Sequence, residues 1–206
     1  MTATASVVVV QISQADLLDF AMSTGVAQQN KVRLVKYRPE YDPKNDYWKR
    51  LRDRIAKMHR EDRPNTVLDD LCAMVPDSKK ANYKNAVTVY KRFLRGKTID
   101  WFKPIRRIWR HGQLEVNINP ELGLVINGTP HVIKLYFKEE KLSKDKAAGI
   151  IQLMETTLKS YHPEETVYSI LDVPNNKLIT LSPKAPDLMP LVRAHALAFV
   201  QMYNEL

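Results

Sequence analysis

Between Gln113 and Lys138 apolar and polar residues alternate along two extended stretches that meet at Asn127-Gly128. In the first, Leu114, Val116, Ile118, Leu122, Leu124 and Ile126 occupy every second place, with Pro120 in the same phase, so one face is apolar. The opposite face carries Glu115, Asn117, Asn119 and Glu121, which point the same way wherever the backbone stays extended. Pro120 is expected to bend the segment, because proline has no N–H to give to a sheet. Asn-Gly tolerates positive φ at both central residues of a tight turn, so the chain is predicted to fold back there. The returning strand divides into one face of His131, Ile133, Leu135 and Phe137 and another of Val132, Lys134, Tyr136 and Lys138. These two stretches are predicted to be adjacent antiparallel strands near the middle of a mixed sheet.

Helical spacing dominates on both sides of this hairpin. Ser13-Gln14-Ala15-Asp16 has the form of a capping box ahead of Leu17, Leu18, Ala21 and Met22, with Gly25 expected to end that helix. Lys31 to Arg38 alternates basic and apolar residues and reads as a short strand or extended arm, followed by a loop over Pro39 to Pro43. Tyr47, Trp48, Leu51, Ile55 and Met58 keep the helical period, which leaves Arg50, Arg54 and Lys57 as a basic stripe. Val67, Leu68, Leu71 and Cys72 suggest a short helix burying the cysteine. Asp77 is placed to cap a helix to about Leu94, with Tyr83, Ala86, Val87, Tyr90 and Phe93 inward, Lys79, Lys80, Lys84, Lys91, Arg92 and Arg95 outward, and Gly96 as terminator. After the hairpin, Ser143 is the expected cap of a helix with Ala147, Ile150, Ile151, Met154 and Leu158 inward. Strands are predicted at Thr166 to Val173 and Lys177 to Leu181, then a last helix from about Pro186 with Met189, Val192, Ala196, Phe199 and Tyr203 on one face. The sum is an α/β (α+β) chain with a mixed sheet around a central antiparallel hairpin flanked by helices. An N-terminal, mainly helical region (1–76) precedes a core (77–206), the two forming one compact unit.

Charge sharpens this picture. Thirty-two Lys and Arg against twenty-three Asp and Glu leave a formal +9, which favours a polyanionic partner, DNA or RNA, or else serves solubility. The cations fall in three groups: Arg50, Arg54 and Lys57; Lys84, Lys91 and Arg95; and Lys103, Arg106, Arg107 and Arg110 among Trp101, Phe102, Ile105 and Trp109. Mixed basic and aromatic residues occur on surfaces that hold single strands, although such aromatics more often belong to a core. A lone cysteine excludes an internal disulfide and a cysteine-based zinc site. Val7 to Val10 is too short to span a membrane, and no basic residue precedes it as a secretory signal requires. A soluble cytoplasmic protein without membrane association is expected.

The order helix, three strands, helix, strand from Asp77 onward resembles the core of the PD-(D/E)XK nuclease superfamily, the restriction-endonuclease-like fold, over about the C-terminal two-thirds of the chain. Asn119-Pro120-Glu121-Leu122-Gly123-Leu124, then Asn127-Gly128 and His131-Val132-Ile133-Lys134-Leu135, is similar to that family's signature hairpin. The resemblance implies a metal-dependent nuclease site in which two strand carboxylates hold a divalent ion and a lysine positions or activates water. Glu121 stands at the first acid and Lys134 at the lysine, but Val132 occupies the place of the second acid. A valine cannot ligate magnesium, and the helix from Asp77 adds no acid inside it. Glu115 shares the predicted face of Glu121 yet lies roughly 20 Å away along an extended strand.

Other chemistries find no footing. The five histidines lack close metal-ligand spacing, there is neither G-x-x-x-x-G-K nor G-x-G-x-x-G, and no nucleophile elbow occurs. Three readings therefore compete. The first is a nucleic-acid-binding protein on a nuclease-like fold with a degraded catalytic set and no cofactor. The second is an active Mg2+-dependent nuclease using Glu121 and Lys134, with Glu121 as metal ligand. The third is a non-catalytic interaction module or homodimer.

Overall fold

Asn127 and Gly128 both take positive φ, 49° and 87°, and close β5 (Leu122–Ile126) onto β6 (Thr129–Tyr136) as an antiparallel hairpin with Ile126 opposite Thr129 and Leu122 opposite Ile133. In this computed structural model residues 9–40 and 42–206 are described. The hairpin lies inside a five-stranded sheet of order β2-β5-β6-β7-β8, with β2 (Ile99–Phe102), β7 (Val167–Asp172) and β8 (Lys177–Thr180). Strand β7 runs parallel to β6, and α6 (Lys144–Leu158) makes the crossover that a parallel pair requires. A second sheet of order β1-β4-β3 joins β1 (Val10–Ser13), β4 (Leu114–Ile118) and β3 (Arg107–His111). There β1 is parallel and β3 antiparallel to β4. The fold is thus mixed α/β.

The period-two pattern of β6 sorts its side chains onto two cores. Ile133, Leu135 and Phe137, with Leu122, Leu124 and Ile126 of β5, pack against α3 (Lys49–Arg60), α4 (Val67–Met74) and α5 (Asp77–Leu94) through Leu51, Ile55, Leu68, Tyr83 and Tyr90. On the reverse face Val132 and Tyr136 join Tyr168 and Ile170 of β7, and pack in one cluster with Val10, Ile12, Leu114, Val116 and Ile118. Helices α1 (Gln14–Met22), α2 (Gly25–Lys36), α6 and α7 (Met189–Glu205) complete that cluster through Leu17, Phe20, Val32, Ile151, Met154 and Phe199. Each fully buried aliphatic or Phe side chain contributes about 1.5–3 kcal/mol, so the division of β6 between two apolar layers fixes its register. Among the described residues no helix is long and apolar enough to cross a membrane.

Several expectations need correction. The stretch Leu114–Ile126 is two strands in two sheets: Pro120, lacking an N–H, ends the first, and ladder bonding resumes as Glu121 donates to the Ile133 carbonyl at 3.1 Å. Only Leu122–Ile126 pairs with β6, while Leu114–Ile118 pairs with β1 and β3. Lys31 to Arg38 is not a strand or arm; most of it is the end of α2, where Val32 reaches the core and its basic neighbours stay outside. Helix α1 stops at Met22, and Gly25, at φ 55°, opens α2 instead of ending α1. Helix α3 begins at Lys49, so Tyr47 and Trp48, expected in its helical period, precede it. Asp77 lies in the first turn of α5 with Pro76 at the N-cap, and Ser143 holds the N-cap place of α6 without a capping bond from its side chain. The helix-to-helix interval after Leu94 contains five strands, not three. The capping box at Ser13 and Asp16 is formed, with Asp16 N–H to Ser13 Oγ at 3.1 Å and Ser13 N–H to Asp16 Oδ2 at 2.8 Å. Val7 and Val8, the first half of the apolar run, lie outside the described residues.

Candidate functional site

Where the chain passes through Pro120 from one sheet to the other, residues of both sheets line a common space. Cross-strand partners share a face, so Ser13 and Ile108, both opposite Asn117, lie with it on the side of the three-stranded sheet turned to this space. Asn117, Asn119 and Glu121 continue along one phase of the chain, and together with Gln11, Ser13, Ile108 and Lys134 they line an open cleft of about 960 Å³. Residues from the α2–α3 connection and α3, among them Arg38, Glu40, Asp42, Asp46 and Arg52, close its other side.

At its floor Lys134 Nζ lies 2.7 Å from Glu121 Oε1 and donates to the Asn119 carbonyl and Asn119 Oδ1, each at 3.1 Å. The lysine is buried, about 9% exposed, and its three N–H donors are spent on Asn119 and Glu121 in the link between β4 and β5. Glu121 Oε2 accepts the Leu135 N–H at 2.8 Å, and Arg52 Nε approaches Oε1 at 3.7 Å. Arg52 also pairs with Asp46 at 2.5 Å. A chain of alternating charge, Asp46, Arg52, Glu121, Lys134, therefore crosses from the start of the α3 region to the central hairpin.

A second pair walls the cleft, Arg38 against Asp16 at 2.9 Å. Burial pushes the Asp16 carboxyl up, but the Arg38 guanidinium and the Ser13 N–H and hydroxyl outweigh it and hold the carboxyl below its ordinary range. Arg106 and Arg107 differ from these cations: both line the cleft, both are exposed, and among the described residues neither forms an ion pair. Arg107 donates to the Arg106 carbonyl at 2.9 Å and lays its guanidinium 4.2 Å from the centre of the Tyr161 ring.

The two residues singled out for chemistry, Glu121 and Lys134, thus meet. The ten basic candidates do not converge as a set. Arg106 and Arg107 reach the cleft, whereas Arg50, Arg54, Lys57, Lys84, Lys91, Arg95, Lys103 and Arg110 are not part of its lining. Lys91 pairs with Asp69 at 2.5 Å, Arg110 with Glu115 at 2.7 Å, and Lys57 with Glu61 at 3.9 Å. Glu115 is held by Arg110 and by Gln11, which keep its carboxyl below the ordinary range, and it stays out of the cleft lining. Val132, in the place of an acid, is fully buried in the core behind the sheet. Among the described residues no group of three or more His, Cys, Asp or Glu is placed to hold a metal ion.

Sequence reasoning passed over Arg52 and Asp46, and gave Asp16 only a capping role and Arg38 only a place in a basic stretch. Arg52 lies four residues after Trp48 and three before Ile55, at the edge of the apolar stripe of α3. A cation at that half-buried place needs a partner more than the exposed Arg50 does, and that position was the available signal. No protein-family model matches the chain, and no curated protein matches it.

Proposed function

We propose that this protein binds nucleic acid, DNA or RNA, at the mouth of the cleft, on a restriction-endonuclease-like core whose catalytic set has decayed. The observation that carries the reading is the contrast between cations. Arg38, Arg52 and Lys134 are each matched by a carboxylate, while Arg106 and Arg107 are exposed, line the 960 Å³ cleft and have no carboxylate partner among the described residues. Unmatched guanidinium groups at a concave polar surface suit phosphate oxygens, and the formal +9 of the chain adds a long-range attraction. The single Cys72 fits a reducing, cytoplasmic setting.

Glu121 and Lys134 act in this reading as a structural pair. A divalent ion does not fit the donor set: Glu121 Oε1 faces two cations, its Oε2 accepts a backbone N–H, and the neighbouring strand offers buried Val132 in place of a second carboxylate. The experiment is fluorescence anisotropy of the full chain with labelled single- and double-stranded oligonucleotides across a salt series. Binding that weakens linearly in log affinity against log salt is expected. Absence of binding at low salt overturns the reading and leaves a protein-interaction module. Magnesium-dependent cleavage lost in Glu121→Ala would instead reinstate a nuclease.

A further inference from the structure

Beside the cleft mouth, Tyr161 ends the short 3-10 turn Lys159–Tyr161 after α6 and is 49% exposed. The Arg107 guanidinium lies 4.2 Å from the centre of this half-exposed ring, a cation–π contact. That contact sets a planar cation against a phenol ring, and both residues are exposed. Arg107 belongs to the cleft lining, and its sequence neighbours, Arg106 just before the strand and the exposed Ile108 on it, line the cleft as well. Guanidinium planes and aromatic rings are the surfaces on which unpaired bases stack, and a base held inside a duplex offers no such face.

We infer that the Arg107–Tyr161 stack is a platform for an unpaired nucleobase, so that the protein takes single-stranded nucleic acid in preference to duplex. This rests on the nucleic-acid reading above and deepens it. Arg106 supplies a phosphate contact next to the platform, and Arg107 supplies both charge and plane. Since every base has a π-face, the platform selects strandedness and not sequence.

The test compares three fluorescein-labelled ligands on the full chain by anisotropy: a twelve-residue oligothymidylate, an abasic strand with the same number of phosphates, and a duplex of the same length. The wild type is expected to favour oligothymidylate over the abasic strand by roughly 5- to 150-fold, the range that base stacking provides. In Tyr161→Ala that ratio should fall toward one, while Tyr161→Phe should retain it. Arg107→Lys keeps the charge and removes the plane, so it should lose the base-dependent ratio and keep most of the salt dependence. Equal wild-type affinity for the abasic strand and oligothymidylate overturns the platform and leaves phosphate binding standing. An undiminished ratio in both Tyr161→Ala and Arg107→Lys overturns it equally, and failure of all three ligands to bind removes the nucleic-acid reading itself.

Discussion

Lys134 Nζ sits 2.7 Å from Glu121 Oε1, and the next residue along, Leu135, donates its backbone N–H to Oε2 of the same carboxylate at 2.8 Å. Strand β6 therefore grips one carboxylate with two successive residues. Both side chains are nearly withdrawn from water, 11% and 13% exposed, so removing one partner strands the other. Lys134→Met should destabilise the protein by roughly 3 kcal/mol, at the lower end of the cost of breaking a buried pair because Arg52 remains beside Glu121. Adding Glu121→Leu should recover much of that loss. Urea unfolding of the two single variants and the double variant gives the coupling directly, and additive effects would show that the pair is not energetically linked.

His59 Nε2 lies 2.6 Å from the Tyr90 hydroxyl between α3 and α5. Burial lowers the His59 pKa from 6.5 to about 4, so the folded state keeps the ring neutral while the unfolded chain takes up a proton first. The stability this group contributes is full above pH 6.5 and is lost as pH falls from 6.5 toward 4, by at most about 3 kcal/mol. His131 and His195 are shifted down by burial as well and act in the same direction. The difference in thermal midpoint between wild type and His59→Gln, followed from pH 7.5 to 4, isolates His59: the wild type should fall more steeply. Parallel curves would contradict the assignment.

Gly123 faces Phe102 across the β2–β5 ladder, and a Cβ built on it would lie 2.4 Å from the Phe102 carbonyl oxygen and 2.7 Å from two of its ring carbons. The backbone oxygen cannot swing aside as a flexible side chain would. Gly123→Ala should therefore cost about 1–3 kcal/mol, the penalty of forcing extra volume into a packed place. A lowered denaturation midpoint with an unchanged slope in urea checks this, whereas an unaffected midpoint would mean that β2 yields.

The hairpin was legible because three local signals agreed: strict alternation, an Asn-Gly turn that accepts positive φ, and apolar residues on both faces of the returning strand. The same alternation concealed the division at Pro120, since period two continues across it and only long-range pairing with Val10–Ser13 shows that Leu114–Ile118 belongs to another sheet. Lys31 to Arg38 misled for a related reason. Four basic residues around Val32, Leu34 and Val35 mimic a strand, but only Val32 is buried, and helical packing against α1 and α7 overrides the local pattern. Glu121 and Lys134 were singled out only through the resemblance of the stretches around the turn to the nuclease signature hairpin. Arg52 comes from a helix and Asp46 from the connection before it, both far away in sequence, and no local period announces a contact of that kind.

The arrangement of unmatched cations leads to a last prediction. A phosphate contact by Lys or Arg adds roughly 0.7 to 0.9 to the slope of log affinity against log salt, because each contact releases condensed counterion. Arg106 and Arg107 line the cleft without a carboxylate partner among the described residues, so Arg106→Ala with Arg107→Ala should flatten that slope by about 1 to 2 and weaken binding for any sequence. Arg50 and Arg54 stand on α3 outside the cleft lining, and the variant Arg50→Ala with Arg54→Ala removes the same charge from the chain. If binding follows net charge alone, the two double variants should behave alike; if it follows the cleft, only the first should change slope. Anisotropy titrations at four or more salt concentrations decide between them, and a flattened slope in the Arg50 and Arg54 variant alone would move the phosphate track from the cleft to α3.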